Sequence, residues 1–277
     1  MTRHGSRDAA RKYGRTPDQM RKLTLTRDHV LLVHKVVDDP GSPPSAELHT
    51  DADYDGWVAR IIQTHPAPSA PTRIFAYGSL IWKPEIEHAG EQLGVACGWH
   101  RAFCFRIPFH RGTPEQPGLM MALDHGGQCR GVLYDLPQDN LERQLGKLFR
   151  REFVAKPINS MPRWIFVKTA SGPTPALTFV MNRASPLYAG RQSLEAVADV
   201  LARACGHGGT GAEYLLNTVS HLEAKGIRDS NLWRLQRPRE PWRRQRERPT
   251  STLSRHASVR AARHRFGAGT YPPPKRS

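Results

Sequence analysis

Hydrophobic and polar positions follow a period of two in some parts of the chain and a period near 3.6 in others. Short alternating or apolar runs bounded by Gly and Pro predict six strands. These are Arg73–Tyr77, Gly94–Ile107, Gly118–Leu123, Gly131–Leu136, Arg163–Thr169 and Ala176–Met181. Helical periodicity predicts helices at Tyr54–Gln63, Leu141–Glu152, Leu194–Cys205, Gly211–Lys225 and Ser230–Leu235. Because the strands mostly precede the helices instead of alternating with them, the pattern predicts an α+β fold.

One predicted helix carries a carboxylate on its apolar face. Leu141, Leu145, Leu148 and Phe149 stand at offsets 0, 4, 7 and 8, and Glu152 continues the series at offset 11. A carboxylate on a buried face is costly unless it is hydrogen-bonded, paired or protonated. Desolvation raises its pKa towards neutrality, which is the condition that a general acid/base needs. The alternative is that the helix frays at its end and leaves Glu152 in water.

Polar and Pro-rich segments divide the chain. Residues 1–22 are polar and basic, and the apolar residues within 28–37 predict one short ordered element. Residues 38–45 are rich in Pro, Gly and Ser, which is typical of a linker. We predict a basic, partly disordered extension over 1–70, a compact domain over 71–238 and a basic disordered tail over 239–277.

The positive charge is concentrated at the two ends of the chain. The formal net charge is +16, of which residues 1–27 carry +6 and residues 234–277 carry +11, whereas residues 28–233 sum to −1. Basic tails can attract nucleic acid or anionic lipid through charge alone. No nucleic-acid recognition module accompanies this charge. The sequence therefore does not predict a nucleic-acid partner.

The cysteine pattern and the lack of long apolar runs indicate a cytoplasmic protein. Cys97, Cys104, Cys129 and Cys205 contain no CxxC pair and are too few for a disulfide scaffold, so reduced thiols are predicted. An alternative is a zinc site formed by Cys97, His100, Cys104 and Cys129. The spacing of these residues matches no standard set of zinc ligands, so no metal is predicted. The sequence contains no run of 18 apolar residues, so it predicts no membrane-spanning helix. The N-terminus lacks the apolar core of a secretory signal; its arginines faintly resemble a transit peptide.

Two loops contain residues that could bind a substrate. The segment Tyr77-Gly78-Ser79-Leu80-Ile81 takes a strand into a tight turn, whose N–H groups can hold a carboxylate or an oxyanion. Strand–Gly–Ser turns are also common structural features. Arg111 lies in a turn-rich loop and could bind an anionic substrate or remain solvated. The patterns GxSxG, GxGxxG, HExxH and the P-loop do not occur in the sequence.

A series of short motifs occurs in one order between about residues 73 and 236. The motifs are Phe75–Trp82, Gly98–Phe103, Arg111–Pro114, Pro117–Leu119, Gly131–Tyr134, Leu148–Glu152, Ala176–Val180, Tyr188–Gly190, Gly211–Leu215, Gly226–Asp229 and Leu232–Trp233. Together they resemble the ChaC-type gamma-glutamylcyclotransferases, which act on glutathione. The Arg-Arg-Glu form at the end of the sixth motif resembles the bacterial branch. A set of ordered motifs is more specific than any one of them.

This resemblance implies a small, mostly antiparallel β-barrel with packed helices over 71–238. It implies that Glu152 is the catalytic acid/base. It also implies that the turn segment binds the gamma-glutamyl end of the substrate, with Arg111 as a further candidate. The substrate-binding residues so predicted are Ala76, Tyr77, Gly78, Ser79, Leu80, Ile81 and Arg111. The roles of Tyr188 and Tyr214 stay open.

The implied enzyme is a glutathione-specific gamma-glutamylcyclotransferase, a carbon–nitrogen lyase of the amidine-lyase type. The α-amine of the substrate attacks its own γ-carbonyl and releases 5-oxoproline and cysteinylglycine. Because the nucleophile is intramolecular, the reaction needs neither a Ser or Cys nucleophile nor a cofactor. Glutathione is the predicted partner, and the chain is predicted to be a monomer.

Three alternatives remain. One is a cyclotransferase for other gamma-glutamyl amino acids or amines. Another is a non-catalytic binding module with nucleic-acid-binding basic tails. A third is a link to cation transport, against which the lack of a predicted membrane helix argues.

Overall fold

The helices and strands of the computed structural model are given for residues 25–41 and 46–236, which are the residues that the structure describes. The helices are α1 (Arg27–Val33), α2 (Asp51–Gln63), α3 (Leu141–Glu152), α4 (Leu194–Leu201), α5 (Gly211–Ala224) and α6 (Ser230–Gln236). The strands are β1 (Glu47–Leu48), β2 (Arg73–Ala76), β3 (Gly90–Ile107), β4 (Gly118–Asp135), β5 (Ala155–Lys156), β6 (Ser160–Thr169), β7 (Gly172–Met181), β8 (Cys205–Gly206) and β9 (Gly209–Thr210). A 3₁₀ turn, Ser79–Ile81, follows β2.

Five strands close into a barrel in the order β2-β4-β3-β6-β7. Neighbouring strands along this order are antiparallel, and short parallel pairings of β7 with β2 and β4 complete the closure. Phe75, Leu133, Val167 and Ala176 belong to one apolar cluster and are fully buried. Closure gives each of these five strands a paired neighbour on both sides over at least part of its length. The predicted α+β fold with a mostly antiparallel barrel and packed helices is confirmed.

A second apolar layer joins the barrel to the helices. Ile74 and Phe179 of the barrel belong to the same buried cluster as Leu145 and Phe149 of α3 and Leu215 of α5. Full burial of one such side chain contributes about 1.5–3 kcal/mol relative to its exposure. Helix α3 extends over the residues that the apolar periodicity predicted. This layer therefore fixes the last residue of α3 against the barrel.

Helices α1 and α2 also contribute to this core. Val30 and Val58 are buried in the same cluster, and Tyr54 donates a hydrogen bond to the carbonyl of Phe153 at 3.1 Å. The Thr50 side chain caps α2, because its hydroxyl accepts from an amide in the first turn. Part of the predicted N-terminal extension thus packs beside the end of α3. Residues 1–24, 42–45 and 237–277 lie outside the described residues, and the domain boundaries stay predictions.

The two strands predicted between Gly118 and Leu136 are one strand, β4. The polar stretch between them was not predicted as strand, but it keeps pairing with β3, and Trp99 lies opposite His125. A β-bulge between Cys97 and Trp99 accommodates the change of register. The polar composition of residues 124–130 gave no strand signal, because this stretch becomes a strand through its pairing with β3.

The helix predicted to end at Cys205 ends instead at Leu201. Cys205 and Gly206 pair with Gly209 and Thr210 in a two-stranded hairpin, β8–β9. The backbone amide of Lys35 donates to the Cys205 sulfur at 3.4 Å, so this hairpin also contacts the segment after α1. Tertiary pairing overrides the helical preference of this stretch.

The four cysteines are free thiols that occupy different surroundings. Cys97 is exposed, Cys129 belongs to the cluster inside the barrel, and Cys104 belongs to a small separate cluster. Among the described residues, no group of His, Cys, Asp and Glu side chains is arranged to hold a metal ion.

None of the helices in the described part of the chain is long and apolar enough to cross a membrane.

Candidate active site

The end of β2 leads directly into the 3₁₀ turn that the sequence marked as a ligand-binding segment. The N–H of Ile81 donates to the carbonyl of Gly78 at 2.9 Å. Gly78, Ser79 and Leu80 come before Ile81 in the chain, and Ile81 is the first residue whose N–H bonds to a carbonyl of the turn. No carbonyl of the turn therefore accepts from the N–H groups of these three residues. The side chains of Ala76, Leu80 and Ile81 are buried in the apolar core. These three residues therefore support the turn, and only their backbone could face a ligand.

Tyr77 is held by hydrogen bonds at its side chain and at its backbone. Its hydroxyl donates to the carbonyl of Phe179 at 2.9 Å, and its carbonyl accepts from Nε of Arg101 at 2.6 Å. Burial raises the pKa of Tyr77 well above its usual value, and the nearby carboxylate of Glu152 raises it further. Tyr77 therefore stays protonated, and its hydroxyl proton is committed to the backbone of β7.

Tyr214 of α5 packs against the other side of the turn. Its hydroxyl lies close enough to the side chain of Ser79 for that side chain to lower the pKa of Tyr214 slightly. A Cβ atom on Gly78 would lie only 3.2 Å from that hydroxyl oxygen, so glycine permits the close approach. Burial raises the pKa of Tyr214 to about 12, with Glu152 adding to the rise and Arg111 opposing it. Tyr214 is a neutral hydroxyl beside the turn.

Glu152 is the last residue of α3, and its carboxylate is mostly buried. The helix does not fray before it, because the N–H of Phe153 donates to the carbonyl of Phe149 at 3.0 Å. The side chain of Glu152 is 18% exposed. Burial raises its pKa, Arg151 lowers it, and Glu85 adds a smaller rise. The geometry thus places a carboxyl with a raised pKa beside the turn.

Arg151 connects this carboxylate to the turn. Its Nε lies 3.4 Å from Oε1 of Glu152, and its Nη2 donates to Oγ of Ser79 at 3.2 Å. Glu152 and the predicted substrate-binding turn are therefore brought together through one intervening side chain. Such an arrangement can take a proton at the carboxyl and can stabilise negative charge at the turn.

Arg111 is buried and engaged by protein groups. Its Nη1 donates to Oε2 of Glu213 at 3.0 Å and to the carbonyl of Thr210 at 2.9 Å. Its guanidinium stacks over the ring of Tyr214, 5.5 Å from the ring centroid. The structure thus places Arg111 behind Tyr214, and its role as a substrate ligand stays a prediction.

Tyr188 belongs to a different polar cluster. Its hydroxyl donates to Oδ2 of Asp124 at 2.9 Å, and Arg183 pairs with the same carboxylate at 2.7 Å. These contacts link the segment after β7 to β4. The structure therefore assigns Tyr188 a supporting contact within the barrel wall.

Arg101 and Arg151 are site residues that the sequence reasoning missed. Arg101 had a usable signal, because Trp99, Arg101 and Phe103 alternate on one face of β3 and all three are buried. An arginine on a buried strand face points to a partner in the interior. Arg151 had no such signal, since it lies off the apolar stripe of α3.

The barrel, with a buried carboxylate beside a Gly-Ser turn, defines the class of protein. The fold is similar to the crystal structure of a gamma-glutamyl cyclotransferase specific to glutathione from yeast. The TM-score is 0.55 at 18% identity, and the match covers 64% of this chain and 97% of that chain. At this identity the likeness shows the fold alone, and the fold is that of the gamma-glutamyl cyclotransferases.

Sequence comparison identifies the family within this class. The family model described as ChaC-like protein matches residues 72–238, which is more than half of the chain. A glutathione-specific gamma-glutamylcyclotransferase of Escherichia coli (strain K12) is 39% identical over 163 residues, covering 58% of this chain and 70% of that protein. Glutathione-specific gamma-glutamylcyclotransferase 1 of Homo sapiens is 29% identical, covering 68% and 82%. The chain belongs to the ChaC-like family, and the resemblance seen in the motifs is confirmed.

Proposed function

We propose that the chain is a gamma-glutamylcyclotransferase that cleaves glutathione to 5-oxoproline and cysteinylglycine. One observation carries the proposal: Glu152, mostly buried and with a raised pKa, lies beside the Gly78–Ser79 turn. The names of the E. coli and human relatives support glutathione as the substrate. The reaction class is a carbon–nitrogen lyase.

The proposed reaction closes a ring within the bound substrate. The α-amine nitrogen bonds to the γ-carbonyl carbon, and the bond from that carbon to the cysteine nitrogen breaks. One proton leaves the attacking amine and one reaches the departing amine, so the reaction needs no water, oxidant or other co-reactant. Holding amine and carbonyl together converts ring closure into a favourable intramolecular step. We therefore propose no cofactor.

Glu152 is the proposed proton carrier. Its raised pKa, caused mainly by burial, places the carboxyl nearer to the pH at which it can both accept and donate a proton. The N–H groups at Gly78 and Ser79 are proposed to hold the gamma-glutamyl end or the developing oxyanion. Tyr77 and Tyr214 contribute neutral, buried surroundings for the carboxylate.

The direct test is release of 5-oxoproline from glutathione by the purified full-length chain. We expect release from glutathione to exceed release from gamma-glutamyl amino acids and gamma-glutamylamines. A preference for one of those other substrates would change the proposed group on the far side of the gamma-glutamyl bond, but the reaction class would stay the same. No release from any of them by the folded chain would contradict enzymatic function.

Gly78→Ala is expected to reduce kcat/KM by about 10–100-fold, because displacing reacting groups by up to an ångström costs that order of rate. The new methyl would lie 3.2 Å from the Tyr214 hydroxyl and 3.3 Å from Cε of Met121. Tyr214 has little freedom to move, since its side chain is buried and its ring lies under the guanidinium of Arg111. Steady-state kinetics on glutathione measure the effect.

Gly56→Ala is the matched control for this substitution. Gly56 is an exposed position on α2, and a Cβ there meets nothing within 4 Å. We expect wild-type kinetics from this variant. Equal kinetics for the two alanine variants would show that the turn does not need close approach at position 78.

We further propose that the protein works as a monomer in the cytoplasm without a nucleic-acid partner. The free cysteines of the described residues are consistent with a reducing compartment. Size-exclusion chromatography with light scattering should give a mass near 31.1 kDa. A dimer mass, or a shift on adding DNA at physiological salt, would contradict this part of the proposal.

A further inference from the structure

The side chain of Arg151 joins four groups from three parts of the site. Its Nη2 donates to Oγ of Ser79 at 3.2 Å, and its Nη1 lies 3.2 Å from Oε2 of Glu85. The same Nη1 donates to the carbonyl of Lys83. Its Nε lies 3.4 Å from Oε1 of Glu152. The guanidinium thus ties the end of α3 to the turn after β2 and to the loop that follows it.

We propose that Arg151 is a positioning residue for the cyclotransferase reaction: it holds the Ser79 turn in register with Glu152 and, with Glu85 as its counter-ion, balances the charge beside that carboxylate. This inference rests on the proposed function of the site. It assigns roles in the site to Arg151 and Glu85, neither of which the sequence predicted as a site residue. Neither is proposed to exchange protons with the substrate.

The geometry requires an arginine at this position. A guanidinium is planar and carries five N–H donors in a rigid fork, so one side chain can serve several acceptors in different directions. Arg151 is only 18% exposed, and each of its three guanidinium nitrogens contacts an oxygen of the protein. A lysine ammonium is a compact point charge and cannot span Ser79 and Glu85 while staying beside Glu152.

Glu85 keeps Arg151 from neutralising Glu152 completely. When a cation pairs with a single carboxylate, it stabilises the ionised form of that carboxylate and lowers its pKa. The carboxylate is then a weak base. Here the cation is shared, because Arg151 contacts both Glu85 and Glu152 at 3.2 and 3.4 Å. Glu85 is itself paired with Lys83 at 2.9 Å, which fixes it in the loop. The carboxyl of Glu152 therefore stays available for proton transfer.

Within residues 25–41 and 46–236, two charged side chains act on the carboxyl of Glu152. Arg151 lowers its pKa and Glu85 raises it. The hydroxyls of Tyr77 and Tyr214 also lie near it, and burial keeps both neutral by raising their pKa values. Removing the charge of Arg151 must therefore raise the pKa of Glu152, and removing the charge of Glu85 must lower it.

The test is a direct titration of Glu152 by ¹³C NMR in full-length protein labelled at the glutamate side-chain carboxyl. The resonance is assigned by its loss in Glu152→Gln. We expect Arg151→Gln to raise the midpoint by about 1 unit or more and Glu85→Gln to lower it. Glu85 is 45% exposed at its side chain, so its variant tests the idea even where Arg151→Gln does not fold.

Arg150→Gln is the matched control for the titration. Arg150 is the preceding residue on the same helix, but its Nη2 pairs with Asp51 at 2.7 Å. The change in net charge is the same, and the Glu152 midpoint should not move. A midpoint unchanged in Arg151→Gln, or a shift as large in Arg150→Gln, would overturn the proposal.

Turnover separates the positioning role from the charge. The acid limb of the kcat/KM profile should move up in Arg151→Gln and down in Glu85→Gln. Arg151→Lys should keep the limb near the wild-type position but lower kcat, and full kcat in this variant would overturn the positioning role. If wild-type protein releases no 5-oxoproline, the proposed function fails, while the NMR midpoints still decide the effect of Arg151 on Glu152.

Discussion

Glu152→Gln is expected to reduce the release of 5-oxoproline from glutathione by about 10²–10⁴-fold, the usual loss when a general base is removed. Glutamine keeps the shape and the hydrogen-bonding reach of the side chain, but it cannot take a proton from the substrate amine. The measurement is kcat/KM from 5-oxoproline release. Circular dichroism should show an unchanged fold, because a neutral amide costs less to bury than a carboxylate.

The same substitution is expected to stabilise the protein at alkaline pH. Burial raises the folded-state pKa of Glu152, so the folded chain retains a proton that the unfolded chain has lost. The free energy of unfolding therefore falls as pH rises through the ordinary carboxyl range to the raised pKa, and glutamine escapes this loss. Urea unfolding at about pH 8 should show a higher midpoint for the variant, and the difference should shrink towards about pH 4.

Glu142→Gln provides the control on the same helix. Glu142 lies in the first turn of α3 and is exposed. We expect unchanged turnover and a stability change within about 0.5 kcal/mol. Turnover by Glu152→Gln that matched this control would rule out Glu152 as the base. Loss of activity together with a gain in stability is the pattern of a residue kept for chemistry at a cost to the fold.

Part of this site could be predicted from the sequence, because it depends on the spacing of apolar residues within one helix. The stripe of α3 leads from Leu141 to Glu152, and helix geometry alone places the carboxylate on the side that packs against the barrel. The short apolar run of β2 and the alternation in β3 likewise predicted strands. Such signals are local, so one sequence is enough to read them.

The remaining features depend on contacts between distant parts of the chain. The polar middle of β4 is a strand because β3 pairs with it, and no local pattern in residues 124–130 indicates this. Arg111 looked like a loop cation, but Glu213 lies 102 residues further on and pairs with it. Arg151 reaches Ser79 across 72 residues. Periodicity describes which face a residue occupies but not which partner it meets.

Arg101→Met is expected to lower the free energy of unfolding by about 3–5 kcal/mol, the usual cost of breaking a buried ion pair from one side. The Arg101 side chain is 2% exposed and pairs with Asp229 at 3.2 Å. It also donates to the carbonyls of Tyr77 and Arg130. Methionine fills similar space but leaves the Asp229 carboxylate without this cation and two carbonyls without the donors that Arg101 supplies. Urea unfolding monitored by circular dichroism measures the loss.

Two further variants identify the cause of this loss. Arg106→Met makes the same replacement at an exposed position of β3, and we expect a change within about 0.5 kcal/mol. Adding Asp229→Asn to Arg101→Met should recover part of the stability, because the unpaired charge is then removed. Equal losses for Arg101→Met and Arg106→Met would contradict a buried network around Arg101.

The same arginine links stability to turnover. It holds the carbonyl of Tyr77 at 2.6 Å, and the next residue is the Gly78 of the proposed substrate-binding turn. Without this anchor the turn can shift relative to Glu152, and a displacement of about 1 Å costs about 10²-fold in rate. We therefore expect kcat/KM for glutathione to fall in Arg101→Met even where the variant is fully folded, and to stay at the wild-type value in Arg106→Met. Normal kinetics in folded Arg101→Met would mean that other contacts, such as those of Ser79 with Arg151 and Tyr214, are sufficient to hold the turn.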